Sequence, residues 1–283
     1  MANLKEIRKR ISSVQNIKQI TKSMEMVAAA RLAKAAQGAH SHNRYLTELK
    51  KMIERLAYEL NREKYPLLSP PKSGKEALII VSSDRGHCGP FNSQIFSKAE
   101  KKMSEQPEGS YDLFIVGKKG VDHFKRKRVN AEFELRDWSS KNARPEIDKF
   151  VANLLKDYEL GLYNKISVVY THFISNSSRK ILVDQILPLV LPERTPSKKP
   201  LLVEPSVKEL FDQLLPFYFK YIFETILKET YAAELAARVA SMRAATKNAE
   251  EVIDELTLVR NKLRQSGITT ELLEIITSAE AMK

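Results

Sequence analysis

Five histidines, one cysteine and one glycine-containing loop are the residues of this 283-residue chain best suited to chemistry. His40 and His42 stand close together, but residues two apart on a helix do not share a face. We therefore expect both to be solvated and not to bind a metal jointly. Cys88 is the single cysteine, which excludes an internal disulfide and a cysteine-based zinc site.

The loop Ser82–Asn92 (SSDRGHCGPFN) follows a strand-like run, where phosphate-binding loops also occur. Its glycines, Gly86 and Gly89, fit neither G-x-G-x-x-G nor G-x-x-x-x-G-K-[ST]. Pro90 also lacks the backbone N–H that an anion site would use. We expect a tight strand-to-helix turn whose glycines supply positive φ. No nucleophile elbow or carboxylate pair stands out elsewhere, so the sequence predicts no catalytic residue, no cofactor and no metal.

The formal net charge is +12, which indicates an acidic partner: a protein surface, anionic lipid or nucleic acid. Residues 1–65 carry 14 Lys/Arg and 6 Asp/Glu, whereas residues 217–283 carry 9 and 10. The run Lys125–Arg128 (KRKR) is predicted to be a solvated face. The longest apolar runs fall short of the ~18 residues that a membrane span needs. The first residues have no apolar stretch typical of a secretory signal.

The positions of proline and glycine indicate where the long helices lie. All 12 prolines lie between residues 66 and 216, while residues 1–65 contain only Gly38 and residues 217–283 only Gly267. In a helix interior proline costs about 3 kcal/mol and glycine about 1 kcal/mol. Residues 1–65 and 207–283 are therefore predicted to be two long, alanine-rich helices.

Apolar residues repeat every three or four positions in both terminal segments. In the first they are Leu4, Ile7, Ile11 and Val14, followed by Ile17, Ile20, Met24 and Val27. In the last they are Leu235, Val239 and Met242, followed by Val252, Leu256, Val259 and Leu263. A narrow apolar stripe on each helix predicts an antiparallel two-stranded coiled coil of the N- and C-terminal helices. The step from Val14 to Ile17 breaks the heptad and predicts an irregular supercoil there.

Residues 66–206 are predicted to form a Rossmann-like α/β domain inserted between the long helices. The strand-like runs are Ala77–Ser82, Asp112–Gly117, Ile166–Tyr170 and Ile181–Leu189. The helix-like runs are Ser93–Met103, Lys118–Lys127 and Pro145–Glu159. Their alternation is typical of a mostly parallel sheet, and Pro192–Pro205 is expected to be a polar exit. The predicted fold class is therefore α/β with long terminal helices.

Four stretches of this sequence resemble F-type ATP synthase gamma subunits, in the order found in that family. They are Ile7–Ala35 (IRKRISSVQNIKQITKSMEMVAAARLAKA), Ser83–Asn92 (SDRGHCGPFN), Glu204–Leu215 (EPSVKELFDQLL) and Ala237–Ile275 (ARVASMRAATKNAEEVIDELTLVRNKLRQSGITTELLEI). His87 and Pro90 depart from the apolar residue and glycine usual in the family. Gly267 replaces a small helix former, and we expect it to soften the end of the last helix.

The resemblance implies a rotor shaft that is not itself an enzyme. In this family the coiled coil enters a ring of three alpha and three beta subunits, while the α/β domain rests with the epsilon subunit on the membrane-embedded c-subunit ring. Flow of protons or sodium ions turns the c-ring, and the shaft drives the catalytic beta subunits through their nucleotide-binding states. The implied location is the cytoplasmic face of a bacterial cell membrane, reached only through the c-ring.

The resemblance also implies six rotor–stator contact residues: Met24, Arg238, Arg264, Gln265, Thr269 and Glu271. Met24 matches the shaft methionine in KSMEMVAAA, and Arg238 matches the shaft arginine packed near it. Arg264 and Gln265 match positions that meet an acidic catch loop of a beta subunit. The last two lie in ITTEL, where an apolar sleeve of the ring guides the shaft. For all six, coiled-coil packing or solvation is the alternative role.

Two other functions remain open on the residues alone. A nucleotide-dependent enzyme on the α/β domain is disfavoured by the missing phosphate loop and catalytic set. A basic coiled-coil nucleic-acid-binding scaffold would use the charge of residues 1–65, but aromatic residues are not interleaved with the basic ones.

Overall fold

The structure, a computed structural model, describes residues 4–60, 65, 67–69, 73–107, 109–190, 203–204 and 206–282. The elements, in chain order, are α1 (Leu4–Tyr58), β1 (Lys75–Val81), α2 (Phe91–Ser104), β2 (Tyr111–Val116), α3 (Lys118–Arg126), β3 (Phe133–Leu135), a 3-10 turn (Lys141–Ala143), α4 (Arg144–Glu159), β4 (Tyr163–Phe173), β5 (Arg179–Leu187) and α5 (Val207–Ala281). The predicted exit Pro192–Pro205 lies almost entirely outside the described residues.

The chain divides into two compact units. Residues 1–29 with 238–283 make up one, called here the coiled-coil unit, and residues 30–237 make up the other, called the sheet unit. Both cuts fall inside a long helix, so α1 and α5 each contribute to both units. The division by elements into residues 1–65, 66–206 and 207–283 stays a prediction.

The two long helices were predicted from the scarcity of helix breakers. The helix α1 has 55 residues and α5 has 75, and α5 begins at Val207 as expected. The helix α5 continues through Pro216, which removes one backbone hydrogen bond from its first turns. Burial of apolar side chains around this proline, such as Leu215 and Phe219, offsets that loss.

The sheet has five strands in the order β3-β2-β1-β4-β5. Strands β1 to β4 are parallel, and β5 is antiparallel to β4. The central strand β1 is buried at six of its seven positions, as a parallel strand covered on both faces should be. The mixed, Rossmann-like sheet confirms the predicted class. Strand β3 escaped prediction because it has only three residues.

One large apolar cluster joins one face of the sheet to α4 and to the parts of α1 and α5 in the sheet unit. Phe150 of α4 lies at its centre. Its ring centroid is 4.3 Å from that of Phe133, 5.8 Å from that of Phe114 and 5.5 Å from that of Phe223 on α5. The opposite face carries the buried side chains of α2 and α3. The sheet unit is thus a three-layer domain with its apolar residues inside.

The loop after β1 turns its polar side chains inward. The Asp84 carboxylate accepts hydrogen bonds from the backbone N–H groups of Lys118, Asp137 and Ser139 and from the Ser139 hydroxyl, at 2.9–3.1 Å. Positive φ occurs at Gly89, as predicted, but the other positive φ is at His87 and not at Gly86. The loop therefore joins the carboxyl ends of the neighbouring strands.

At the same edge of the sheet, the backbone of Gly117 passes close to that of Ser82 and has φ +111°. A Cβ atom there would lie 2.2 Å from the Ser82 carbonyl oxygen, so only glycine fits. The indole Nε1 of Trp138 donates a hydrogen bond to the same carbonyl oxygen at 2.8 Å. The ends of β1 and β2 are thereby held together.

The expectation that His40 and His42 are both solvated is wrong for His42. His40 is exposed, but His42 is half-buried and stacks on Tyr221 at 5.0 Å. Its Nε2 lies 2.6 Å from Lys228 Nζ, and its Nδ1 lies 3.1 Å from the Gly38 carbonyl oxygen. Burial first, and then the positive charge of Lys228, lowers the pKa of His42 below its ordinary 6.5.

Candidate functional site

All six predicted contact residues lie in the coiled-coil unit. Three polar pairs join α1 to α5 there, and their numbers rise along α1 while they fall along α5. The pairs are Lys18 with Glu250 (3.0 Å), Thr21 with Thr246 (2.8 Å) and Glu25 with Arg243 (3.0 Å). The two helices therefore run antiparallel, as predicted.

The covered side chains of α1 in this unit follow an unbroken heptad. Apart from Met24, the buried and half-buried residues are spaced alternately by three and four: Leu4, Ile7, Ile11, Val14, Lys18, Thr21, Glu25 and Ala28. The predicted shift from Val14 to Ile17 is wrong. A regular 3.5-residue repeat keeps one stripe of a helix facing its partner, and three polar residues continue the stripe instead.

The helix α5 presents a matching heptad. Its seam residues are the buried and half-buried side chains that follow the same alternating spacing of three and four as those of α1. They are Val239, Met242, Thr246, Ala249, Ile253, Leu256, Arg260 and Leu263. Four of these were predicted: Val239, Met242, Leu256 and Leu263. Val252 and Val259 were also predicted for the seam, but both are exposed. Each of them comes immediately before a seam position.

The centre of the seam is polar and internally bonded. Glu25 is 6% exposed, and its carboxylate accepts hydrogen bonds from Arg243 Nε at 3.0 Å and from Lys22 Nζ at 3.2 Å. The hydrogen bond from Arg243, and then that from Lys22, holds the pKa of this carboxyl below its ordinary 4.5. The hydroxyl of Thr246, also buried, bonds to that of Thr21. Directional bonds thus hold a stretch where apolar packing was expected.

The apolar side chains missing from the seam lie on its edge. Ile17, Ile20 and Val27 are 52%, 59% and 54% exposed. With Met24 between them they are spaced by three, four and three, so they share one face of α1. Ile17 and Met24 immediately precede seam positions, as Val252 does on α5. In an antiparallel pair such positions flank the same side of the seam. We call these residues, with Val259 of α5, the apolar edge.

The six predicted contact residues fall into two groups. Met24 and Arg238 are both half-buried, and each immediately precedes a seam position, so the heptad places them along the apolar edge. Arg264, Gln265, Thr269 and Glu271 are exposed near the end of α5. The 26 residues from Arg238 to Arg264 correspond to about 39 Å of helix. The six predicted contact residues therefore lie in two separate parts of the coiled-coil unit.

The end of α5 extends beyond the seam. The register that pairs Thr21 with Thr246 reaches Leu4 opposite Leu263, where the described part of α1 ends. Every residue from Arg264 to Ala279, called here the tip, is exposed. Its large apolar side chains are 50–64% exposed: Ile268, Leu272, Leu273, Ile275 and Ile276. Four of these follow an i, i+4, i+7, i+8 pattern, which is one face of an amphipathic helix.

The polar seam residues were missed by sequence reasoning. The next apolar residue after Val14 is Ile17, whereas the unbroken heptad places Lys18 in the seam. The signal that could have found them is chemical matching: Thr21, Glu25 and Lys18 each meet a complementary side chain when the two heptads are aligned antiparallel.

The described residues of the chain contain no group of three or more His, Cys, Asp or Glu side chains placed to hold a metal ion. Within the same ranges no helix is long and apolar enough to cross a membrane. Cys88 is buried, and its Sγ accepts a hydrogen bond from Asn92 Nδ2 at 3.4 Å.

Comparison with known proteins assigns the chain to one family. The family model described as ATP synthase matches residues 3–282. An ATP synthase gamma chain of Protochlamydia amoebophila is 40% identical, and one of Geobacter metallireducens is 37% identical, each over the whole of both chains. A chain in the mitochondrial ATP synthase rotor of Euglena gracilis has the same fold, with a TM-score of 0.66 and 16% identity over 94% of this chain and 98% of that one. This chain belongs to the ATP synthase gamma chain family.

Proposed function

We propose that this chain is the rotor shaft of an F-type ATP synthase. It transmits torque between the ion-driven c-ring and the catalytic alpha/beta ring, during either synthesis or hydrolysis of ATP. The full-length match to gamma chains supports this role. The chain itself is not an enzyme, because ATP is made on the beta subunits.

The observation that carries the proposal is the apolar surface of the coiled-coil unit. The tip exposes five large apolar side chains, and the apolar edge exposes Ile17, Ile20 and Val27. Contiguous exposed apolar surface marks an interaction site, because each Å² removed from water contributes about 25 cal/mol. An apolar sleeve formed by the alpha/beta ring would cover the tip on all sides while leaving it free to turn.

The predicted contact residues take complementary roles in this scheme. Met24 and Arg238 would meet the ring along the apolar edge. Arg264 and Gln265, exposed at the start of the tip, are free to approach an acidic loop of a beta subunit. Thr269 and Glu271 would follow inside the sleeve. Because Thr269 already donates to the Gln265 carbonyl at 3.0 Å, its methyl group is the part left to face the ring.

The remaining proposed contacts are made by the sheet unit, on the side of the membrane. We propose contacts with the epsilon subunit and with the c-ring, so that the chain is peripheral to the cytoplasmic face of a bacterial membrane. The coupling ion, proton or sodium, would be chosen by the c subunit. The stoichiometry proposed is one shaft to three alpha and three beta subunits.

Reconstitution with separately purified alpha and beta subunits tests the role. Co-elution in one large particle with one copy of this chain, and ATPase activity above that of the alpha–beta mixture, is the expected result. Replacing Ile275 and Ile276 with serine should lower both while leaving the helical circular dichroism unchanged. The matched control is Leu160→Ser, which changes an equally exposed leucine of the sheet unit.

Failure of the parent chain to assemble would refute the shaft role. Salt-dependent DNA binding at physiological ionic strength would then point to the scaffold alternative. Equal loss of assembly in the tip variant and the Leu160→Ser control would refute the assignment of the tip as the contact surface.

A further inference from the structure

In the middle of the coiled-coil unit, polar side chains of α1 face α5 while apolar ones from the same helix turns are exposed. Lys18, Thr21 and Glu25 lie in the seam, whereas Ile17 and Ile20 lie outside it. Burial of apolar surface alone would favour the opposite arrangement. Ile7, Ile11 and Ala28 are buried in the same seam, but along residues 17–27 something other than the hydrophobic effect must set the rotation of α1 about its own axis.

An alternative packing of α1 is built into its sequence. Ile17, Ile20, Met24 and Val27 repeat with the same spacing as a seam, one position before the observed one. Successive helical residues are separated by about 100°, so a roll of α1 by that angle would bring this stripe against α5. Such a roll would bury the α1 residues of the apolar edge and withdraw them from any partner.

The polar pairs oppose this roll. Glu25 is bonded to Arg243, Thr21 to Thr246, and Lys18 lies 3.0 Å from Glu250. All three pairs would be broken together if α1 turned. A buried polar group at a seam position is a known means of fixing the register of a coiled coil. Here Glu25 is buried, and the half-buried Thr21 and Lys18 precede it at successive seam positions.

We infer that Lys18, Thr21 and Glu25 are positioning residues: their bonds to α5 hold the rotation of α1 that keeps the apolar edge facing outward. Glu25 is the principal one, because it is buried and receives two charged donors. The use of the outward edge rests on the proposed shaft function, but the rotation itself is a property of the chain alone.

Two disulfide reporters in the full-length chain distinguish the observed packing from the rolled one. The register that pairs Thr21 with Thr246 also pairs Ala28 with Val239. Cysteines at Ala28 and Val239 should therefore cross-link in the observed packing, and cysteines at Val27 and Val239 in the rolled packing. All variants are made in a Cys88→Ala background, and neither reporter removes a polar seam residue.

In the parent chain the Ala28–Val239 cross-link should dominate. With Glu25→Ala, the ratio of the two cross-link yields should shift toward Val27–Val239 by roughly tenfold. The charge swap Glu25→Arg with Arg243→Glu should restore the parent ratio, which a general loss of packing would not explain. Lys247→Ala is the matched control, because it breaks an exposed pair with Glu251 on α5.

An unchanged ratio in Glu25→Ala, or an equal shift in Lys247→Ala, would overturn the inference. If Glu25→Ala loses its helical circular dichroism, Glu25→Gln takes its place; it keeps the size of the side chain and should shift the ratio in the same direction by less. The cross-links need no alpha or beta subunits. A parent chain that fails to assemble would thus refute the shaft role without changing this result.

Discussion

The two units of this chain differ in how they bury their apolar side chains. In the sheet unit β1 is buried at six of seven positions, and its apolar residues form one cluster with α4 and the long helices. In the coiled-coil unit the middle of the seam is polar, and Ile17, Ile20 and Val27 face outward. The sheet unit buries most of its apolar residues in one cluster, whereas the coiled-coil unit keeps an apolar stripe exposed beside a polar stretch of seam.

This difference indicates what each unit depends on. The sheet unit has the apolar interior of an independently stable domain. The middle of the coiled-coil seam relies on ion pairs and hydrogen bonds, which set orientation more than they add stability. A shaft must present one defined surface while it turns inside a ring, so a seam that specifies rotation suits it better than one that maximises burial.

Truncation of one large apolar side chain in each unit should produce the largest contrast. Phe223→Ala removes a fully buried ring from the sheet unit and should cost about 3–5 kcal/mol of unfolding free energy. Ile20→Ala, at an exposed position of the coiled-coil unit, should cost no more than about 0.5 kcal/mol. Urea unfolding followed by Trp138 fluorescence and far-UV circular dichroism measures both. Similar losses would contradict the comparison.

Removal of the Asp84 carboxylate should have the next largest effect. Asp84→Ala leaves four donors at the end of the sheet without their acceptor and should cost about 2–4 kcal/mol. The fluorescence of Trp138, which lies between two of the bonded residues, should change as well. Asp122→Ala is the control, since it breaks only an exposed pair with Arg136 at 3.2 Å and should cost less than about 1 kcal/mol. A loss no greater than the control's would show that the carboxylate is not needed.

Acidification should weaken the sheet unit through His42. Its pKa is lowered in the folded state, so below about pH 6.5 the unfolded chain binds more protons than the folded one, and stability falls as the pH falls. The neighbouring charges are Lys228, Arg144 and Glu224. His42→Gln should flatten this dependence by less than about 1 kcal/mol. Urea titrations at several pH values measure it, with His40→Gln as the matched control; equal flattening by both would exclude a specific role.

The smallest effect is expected at the tip. An added Cβ at Gly267 would meet no atom within 4 Å, so Gly267→Ala should stabilise the local helix by up to about 1 kcal/mol. Amide hydrogen exchange in residues 264–279 should slow, while the Trp138 unfolding transition stays unchanged. An unaltered exchange profile would mean that Gly267 does not soften the tip.

Much of the sheet unit could be predicted because its signals are local. Continuous apolar runs marked β1, β2 and β4, and each lies in the predicted place. The position of β5 was predicted, but its antiparallel direction was not, since direction depends on which edge of the sheet it joins. The burial of His42 was also missed, because α5 supplies its neighbours from residues far along the chain.

The coiled-coil unit shows where periodicity fails. Scarcity of glycine and proline predicted both helices, and the narrow apolar stripe on each predicted their pairing. Apolar spacing did not predict which of two stripes on α1 faces α5. Ile17, Ile20 and Val27 have the right spacing for a seam, but they are exposed and do not form one.

By itself, the order of residues determined two long helices, an inserted α/β domain and membership of the gamma chain family, since each follows from helix breakers, apolar runs or sequence motifs. Only the tertiary structure decided which side of α1 faces α5. That choice depends on the alignment of Lys18, Thr21 and Glu25 with complementary side chains more than 200 positions away, and such pairs exist only once the two helices meet.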